Sequence, residues 1–468
     1  PGVLSMLAQT AMGLVDTLFM GWVSTEAQAG LGLGATLAWA ASCFFVGTIT
    51  VVNTAVAQRF GAGEHGRCGE LAYQGMLLAA GATVLMLGVG MHLVPRLAGS
   101  LGAPPEVARI AQDYATIRIA GMALSFFEFA ITSFMRGIGD TRTPMKAAIG
   151  MMVLNVPLNY WLIFGGMGVP PMGHKGAAYA TVLATAAGLA VLVALFLKRD
   201  WRERYGTGWP RRLELKGFVE LLKVGVPIGC HWLLEMLGWT IFTLAVARFG
   251  AESLAAHNIV LQVLHVSFMP GVALSIAATT LVGQALGAKR PELARRSAGL
   301  SLAMAIAFMA IMGFVFWFSG GVIASWFTKD AKVVDLARQL FMVAACFQIF
   351  DAAMMVSAGV LRGAALTRFP LLATVIPAAL FLGPGFWYFG VHHGGGVVGA
   401  WGGATAYIVV AGVVLLVAVQ RGHWLTRARL MDDGAGDAAD AVTGESAQDR
   451  GDDEPVPSIA LQPAPAAV

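Results

Sequence analysis

The sequence predicts an all-α polytopic membrane protein: about twelve transmembrane helices in two pseudo-symmetric six-helix lobes. Three observations carry this expectation. Hydrophobic residues make up 57% of the 468 and charged residues only 12%, whereas a soluble domain carries about 25% charged residues. Apolar runs long enough to span a bilayer alternate with short charged or Gly/Pro breaks. Finally, short motifs recur at an undisturbed offset of 226 residues. The mean hydropathy of +0.70 agrees with the composition.

Taken in order, the apolar runs fall at about 1–22, 30–57, 70–94, 107–135, 145–165, 175–197, 217–247, 254–284, 292–318, 332–361, 370–390 and 397–420. Several exceed the ~30 Å hydrocarbon core and are expected to tilt or to extend beyond it. With the termini placed in the cytoplasm, the even-numbered breaks and the exit after the last run carry 22 Lys and Arg against 5 in the odd-numbered breaks. That bias is a positive-inside signal, and it supports the span count, because a missed span would scramble the alternation.

The repeat is read from four markers. Pro1 matches Pro227, and Gln58-x-x-Gly61-Ala62 matches Gln284-x-x-Gly287-Ala288. Arg136-Gly137 with Thr141-Arg142 and Pro144 matches Arg362-Gly363 with Thr367-Arg368 and Pro370, and Trp161 matches Trp387. Six spans is an even number, so the repeats are parallel, related by an axis along the membrane normal, and the cleft between them is the natural substrate path. The expected division is an N-lobe at 1–198, a cytoplasmic linker at 199–216, a C-lobe at 217–420 and an acidic, disordered cytoplasmic tail at 421–468. The basic linker, with tryptophans at both ends, reads as a connection or interfacial helix, with a lipid or regulatory site as the alternative.

Cys43, Cys68, Cys230 and Cys346 lack metal or disulfide spacing. Pro1 opens the chain without a charged n-region, so no cleavable signal is read and the native N-terminus is expected to lie upstream. Neither HExxH, Walker A nor GxSxG occurs. Gly137-Ile138-Gly139-Asp140 matches an intramembrane-protease GxGD, but it sits among Arg136, Arg142 and Pro144 and has no second acid in a Tyr-Asp context. Matches to GxxxG such as Gly283/Gly287 read as helix packing.

Four acids lie deep in the runs: Asp16, Glu128, Glu235 and Asp351. A carboxylate at the bilayer centre costs about 3 kcal/mol on insertion scales, so it calls for a proton, a cation or hydrogen-bond donors. No Lys or Arg is read deep enough to neutralise them. The competing reading is structural: acids satisfied by hydroxyls and amides. Asn155 and Asn159 share a helix face around Pro157 and can partner Asp16, either binding a hard cation or packing helices together. Glu128 lies about two turns from Arg136. His231 precedes Glu235 by one turn and can modulate it or simply be hydrogen-bonded in the bundle. His257 reads as packing.

QTAMGLVDTLFMG around Asp16, VAQRFGAG at 56–63, RGIGDTRTP at 136–144, LNVPLN at 154–159, AAHNIVLQ at 255–262, VGQALGA at 282–288 and FDAAMMVSAGVLRG at 350–363 together resemble the multidrug and toxic compound extrusion (MATE) transporters, in the NorM-type branch. The resemblance covers about residues 1–420. It implies two six-helix lobes forming a V, alternating access, and export of cationic, often aromatic drugs in exchange for Na⁺ or H⁺. It implies an N-lobe cation site at Asp16, Asn155, Asn159 and Thr181, and a C-lobe site at Glu235 and Asp351. Phe347 stands where some relatives carry Tyr, and Asn159 where some carry Asp. The implied protein is a monomer of the inner membrane, with both termini cytoplasmic, no cofactor, and no metal beyond a coupling Na⁺. The alternatives are a lipid-linked oligosaccharide flippase, which would prefer a basic cavity, and an intramembrane enzyme, for which no catalytic constellation is found.

Overall fold

The computed structural model describes residues 1–100, 102–166, 168–208 and 215–427. Among them twelve helices are long and apolar enough to cross a membrane. They are Gly2–Val23, Thr25–Gly61, His65–Ser100, Pro105–Gly137, Arg142–Phe164 and His174–Phe196 in the first half, then Leu215–Phe249, Ala251–Gly287, Pro291–Phe327, Ala331–Gly363, Arg368–His392 and Gly396–Gln420. They are called the first to twelfth spans below. Among the described residues the only strand-like pairing is an isolated bridge between Gly166 and Val169.

Most spans run longer than the apolar runs suggest. The eighth has 37 residues, about 55 Å at ~1.5 Å per residue, so it projects well beyond a hydrocarbon core. The added turns are polar: Glu64-adjacent residues start the third span, and Arg136 and Arg362 end the fourth and tenth. Hydropathy averaging clips such turns although the backbone continues through them. Prolines lie inside several spans without ending them, at Pro95, Pro157, Pro227 and Pro270. The eleventh holds Pro377 and passes through wide-turn stretches at Ala378–Leu382 and Phe386–His392.

The repeat is written into the turns. After the second span Gly63 N–H bonds Phe60 O and Glu64 N–H bonds Arg59 O, and after the eighth Lys289 bonds Leu286 O and Arg290 bonds Ala285 O. The fourth and tenth spans end the same way: Gly139 to Arg136 O with Asp140 to Met135 O, and Ala365 to Arg362 O with Leu366 to Leu361 O. All four are Schellman-type endings, which satisfy terminal carbonyls through a residue of positive φ. The N-terminal half uses Gly63 (φ +81°) and Gly139 (φ +89°), and the C-terminal half uses Lys289 (φ +54°) and Ala365 (φ +56°).

The two largest apolar clusters separate mainly by half. One lies wholly in the second half, from Phe242 to Trp424; the other is mainly first-half, from Ala38 to Tyr205, and takes in Leu221, Val224 and Ile228 of the seventh span and Ala365. The halves meet where glycines allow backbone contact. A Cβ on Gly47 would lie 2.9 Å from Gly229 Cα, and one on Gly225 would lie 2.8 Å from Thr48 O.

Of the linker, Arg199–Tyr205 is a short helix closed by Gly206 in the left-handed region (φ +69°). It docks on the first half: Tyr73 Oη donates to Thr207 O at 3.1 Å, and Tyr205 stacks edge-on to Phe134 and Trp201. The tail expected to be disordered from 421 instead begins with a short helix, His423–Arg427, held by buried Trp424, whose Nε1 donates to Val419 O at 2.9 Å; the rest of the linker at 209–214 and the rest of the tail at 428–468 lie outside the described residues.

Candidate functional site

The first, fifth and sixth spans bring Asp16, Asn155, Asn159 and Thr181 into one buried network, with all four side chains at most 3% exposed. Asn159 Nδ2 donates to Asp16 Oδ1 at 2.6 Å, and Thr181 Oγ1 donates to Asp16 Oδ2 at 2.6 Å. Asn159 Nδ2 also reaches Asn155 Oδ1 at 2.8 Å, and Asn155 Nδ2 reaches Thr181 Oγ1 at 3.3 Å. The helical spacing of Asn155 and Asn159 puts both amides on the face toward Asp16. One acceptor is left over: Asn159 Oδ1 is buried and meets no donor. A carboxylate with both oxygens bonded, beside an orphaned amide oxygen, suits a hard cation or an added proton.

One expectation is corrected here. Arg118 lies in the interior of the fourth span and its charge acts on Asp16. The deep acids are therefore not all without a base. Arg118 is one isolated base between Asp113 and Glu128 in a 33-residue helix, so a hydropathy reading passes over it; a residue-by-residue census of Lys and Arg would have found it.

The second half is built differently. Asp351 on the tenth span is 8% exposed, and Glu235 on the seventh has a side chain 27% exposed. The Glu235 charge acts on Asp351, and the Arg362 charge acts on Glu235. No hydrogen-bond donor meets either one among the described residues, so the relief that Asp16 finds in amide and hydroxyl is missing here. Phe347, one turn before Asp351, is 3% exposed and stacks on Trp401 with centroids 6.3 Å apart; it presents no hydroxyl. Tyr407 of the twelfth span is buried within electrostatic reach of both acids. It was missed in the sequence, yet 407 − 181 is 226, the repeat offset. Tyr407 is the second-half counterpart of Thr181.

His231 is placed between two charges. Its Nε2 lies 4.0 Å from Glu235 Oε2, one helical turn away, as the spacing suggests. Its Nδ1 lies 2.8 Å from the Arg362 guanidinium, 131 residues distant. Glu128 is buried at 7% exposure, and its nearest charged influence is Arg136, on its own helix. His257 is fully satisfied: Trp401 Nε1 donates to Nδ1 at 3.1 Å, and Thr243 Oγ1 lies 2.9 Å from Nε2. It is packing, as expected.

The GxGD acid is also structural. Asp140 Oδ1 accepts from the backbone N–H of Arg142 and of Thr143, both at 3.0 Å, and so caps the start of the fifth span. All four cysteines are free. Among the described residues no group of three or more His, Cys, Asp or Glu can hold a metal.

Twelve spans, a 226-residue internal repeat and buried acids at mid-span define the class as a polytopic membrane transporter. The MatE family model matches residues 1–161 and again 227–386, the second match starting one repeat after the first. The chain belongs to this family of transporters, and it is not an enzyme. It is 32% identical over 415 residues to a probable multidrug resistance protein NorM of Burkholderia pseudomallei, covering 87% of each chain. It is 29% identical over 444 residues to the multidrug resistance protein PmpM of Pseudomonas aeruginosa, covering 90% of this chain and 89% of that one. Among solved structures it superposes on the outward-facing conformation of a multidrug resistance MATE family transporter with a TM-score of 0.82 at 22% identity, covering 91% of this chain and 95% of the other.

Proposed function

We propose that this protein is an antiporter that exports cationic, often aromatic compounds in exchange for inward Na⁺ or H⁺, with the Glu235–Asp351 pair as the principal coupling site. The observation that carries the proposal is the contrast between the two acid sites. Asp16 has a donor on each oxygen and Arg118 nearby. Glu235 has the Arg362 charge within reach, and Asp351 has the Glu235 charge, but neither carboxylate meets a hydrogen-bond donor among the described residues. Two carboxylates sharing a low-dielectric site repel, and a proton or a cation bound between them relieves the repulsion. Exchange follows if drug and ion compete for the same negative charge, because each then lowers the other's affinity.

In this reading residues 1–198 and 217–420 move as two lobes, and the Asp16 network with Asn155, Asn159 and Thr181 is a second cation site whose charge Arg118 partly balances. The Lys- and Arg-rich breaks face the cytoplasm, the termini lie on that side, and a monomer in the inner membrane suffices for transport.

The test is efflux of a cationic dye from proteoliposomes under separately imposed Na⁺ and pH gradients. Wild type is expected to respond to one of them. Glu235→Gln and Asp351→Asn are each expected to abolish the response while the protein still inserts. Wild-type rates in both variants would remove the pair from the coupling role, and a wild type indifferent to both gradients would defeat the antiport reading.

A further inference from the structure

The basic ends of the second, fourth, eighth and tenth spans close against one another in a reciprocal pattern. Gln58 Nε2, in the first half, donates to Gly363 O at 3.0 Å, and Gln284 Nε2, in the second half, donates to Gly137 O at 2.8 Å. Both pairs are related by 226 residues. Gly137 and Gly363 are the last residues of the fourth and tenth spans, where helix carbonyls lack an intrahelical donor. Each glutamine therefore caps a helix of the opposite half. Thr280 Oγ1 adds a donor to Asn53 Oδ1 at 3.0 Å across the same seam. Gly61 and Gly287 permit the approach: a Cβ on the first would strike the backbone of Gln284, and one on the second would strike the backbone of Gln58.

One of the two clasps is connected to a deep acid. Gly363 follows Arg362, whose guanidinium lies 2.8 Å from His231 Nδ1. A guanidinium has donors and no acceptor, so Nδ1 must present its lone pair, and the neutral imidazole then carries its hydrogen on Nε2. That nitrogen is buried, meets no partner, and lies 4.0 Å from Glu235 Oε2, just beyond direct hydrogen-bond reach. The Arg362 and Glu235 charges also act on each other directly.

We propose that His231, oriented by Arg362, is a positioning residue that ties the charge state of Glu235 to the Gln58–Gly363 clasp. This rests on the antiport reading above. With Glu235 charged and without a cation, its carboxylate draws the Nε2–H of His231 and, through Nδ1, holds Arg362 and the last turn of the tenth span where Gly363 O receives Gln58. A proton or Na⁺ on Glu235 cancels that pull, and the clasp on the basic face releases. Asp351, Cys43 and Tyr407 share the neighbourhood of Glu235, but none of them contacts Arg362 by a hydrogen bond among the described residues. Beside the direct attraction between the two charges, the contact path from Glu235 to Arg362 runs through His231. The first half has no counterpart, because the repeat places Ser5 opposite His231.

Three measurements on the full chain in proteoliposomes or detergent test this. Amide hydrogen exchange in 50–64 and 276–290 is expected to rise in wild type when the coupling ion is added, and to lose that ion response in His231→Ala. His231→Gln, whose amide offers one donor and one acceptor, is expected to restore it. The ratio of gradient-driven to downhill dye efflux is expected to fall toward one in His231→Ala and to recover in His231→Gln. Third, ¹⁵N NMR of histidine-labelled wild type, assigned by difference with His231→Gln, is expected to show the Nε2–H tautomer for His231. A merely structural histidine would lower folded yield and leave the ion response intact. An unchanged ion response in His231→Ala, or an Nδ1–H tautomer in wild type, overturns the proposal. If His231→Ala does not fold, the tautomer and the His231→Gln exchange data still decide. A wild type whose efflux ignores both gradients overturns antiport instead, while exchange and tautomer continue to report on the link.

Discussion

At the scale of single residues, the Asp16 network is held by short charge-assisted bonds. Thr181 Oγ1 lies 2.6 Å from Asp16 Oδ2 and 3.2 Å from Ala177 O. One hydroxyl hydrogen cannot serve both, and the shorter contact to the carboxylate takes it. Thr181→Val keeps the shape and removes the donor, leaving a buried carboxylate oxygen unpaired. The expected cost is about 1.5–3 kcal/mol, read as a lower Tm in detergent, whereas Thr181→Ser retains the donor and is expected to stay close to wild type. Equal melting of the Val and Ser variants would mean that the bond contributes nothing. Asp16, Asn155 and Asn159 were legible before the structure, because i, i+4 asparagines can share a face toward an acid in the first span, whereas Thr181 came only through the family resemblance. The Arg362–His231 contact was not legible. Local spacing gave His231 only Glu235, and its stronger partner comes from 131 residues away. Tyr407 was readable only by carrying the repeat offset onto Thr181.

At the scale of elements, the four Schellman-type turns show how a repeat keeps backbone geometry while changing side chains. Glycine reaches positive φ without a Cβ clash, whereas an L-residue there costs roughly 1–2 kcal/mol. The second half accepts that cost at Lys289 and Ala365, where the first half has Gly63 and Gly139. Ala365→Gly is therefore expected to stabilise the protein, by about 0.5–1 kcal/mol once the greater flexibility of the unfolded glycine chain is subtracted. Gly139→Ala is expected to destabilise it by about 1 kcal/mol or more. Thermal unfolding of the two variants in parallel checks both signs, and a loss of stability in Ala365→Gly would show that the methyl group's packing outweighs the backbone strain. Sequence alone did not reveal these turns in the second half, since Lys and Ala carry no turn signal. The backbone geometry locates them, in register with the glycines 226 positions earlier. Span lengths were misjudged for a related reason: a helix ends where its backbone is capped, and hydropathy falls one or two turns sooner.

At the scale of the whole molecule, pseudo-symmetry makes a prediction that neither half makes alone. The scaffold is duplicated down to the clasp: Gln58 and Gly61 face Gly363 and Gln284, and Gln284 and Gly287 face Gly137 and Gln58. The charges are not duplicated. Ser125 stands opposite Asp351 and Gln9 opposite Glu235. Closure of the basic face should therefore be shared by the two halves, while its ion dependence should belong to one. Gly61→Ala and Gly287→Ala each put a methyl group into the opposing backbone, and both are expected to raise amide exchange across 50–64 and 276–290 to a similar extent and to slow dye efflux. They are expected to differ from the ion-site variants in one respect. Glu235→Gln mimics an ion-occupied acid and should fix exchange at its ion-bound level, whereas the glycine variants should raise the baseline and still respond to added ion. If Gly61→Ala opened the face and Gly287→Ala did not, closure would depend on one clasp, and the repeat would be a relic of duplication rather than a working pair.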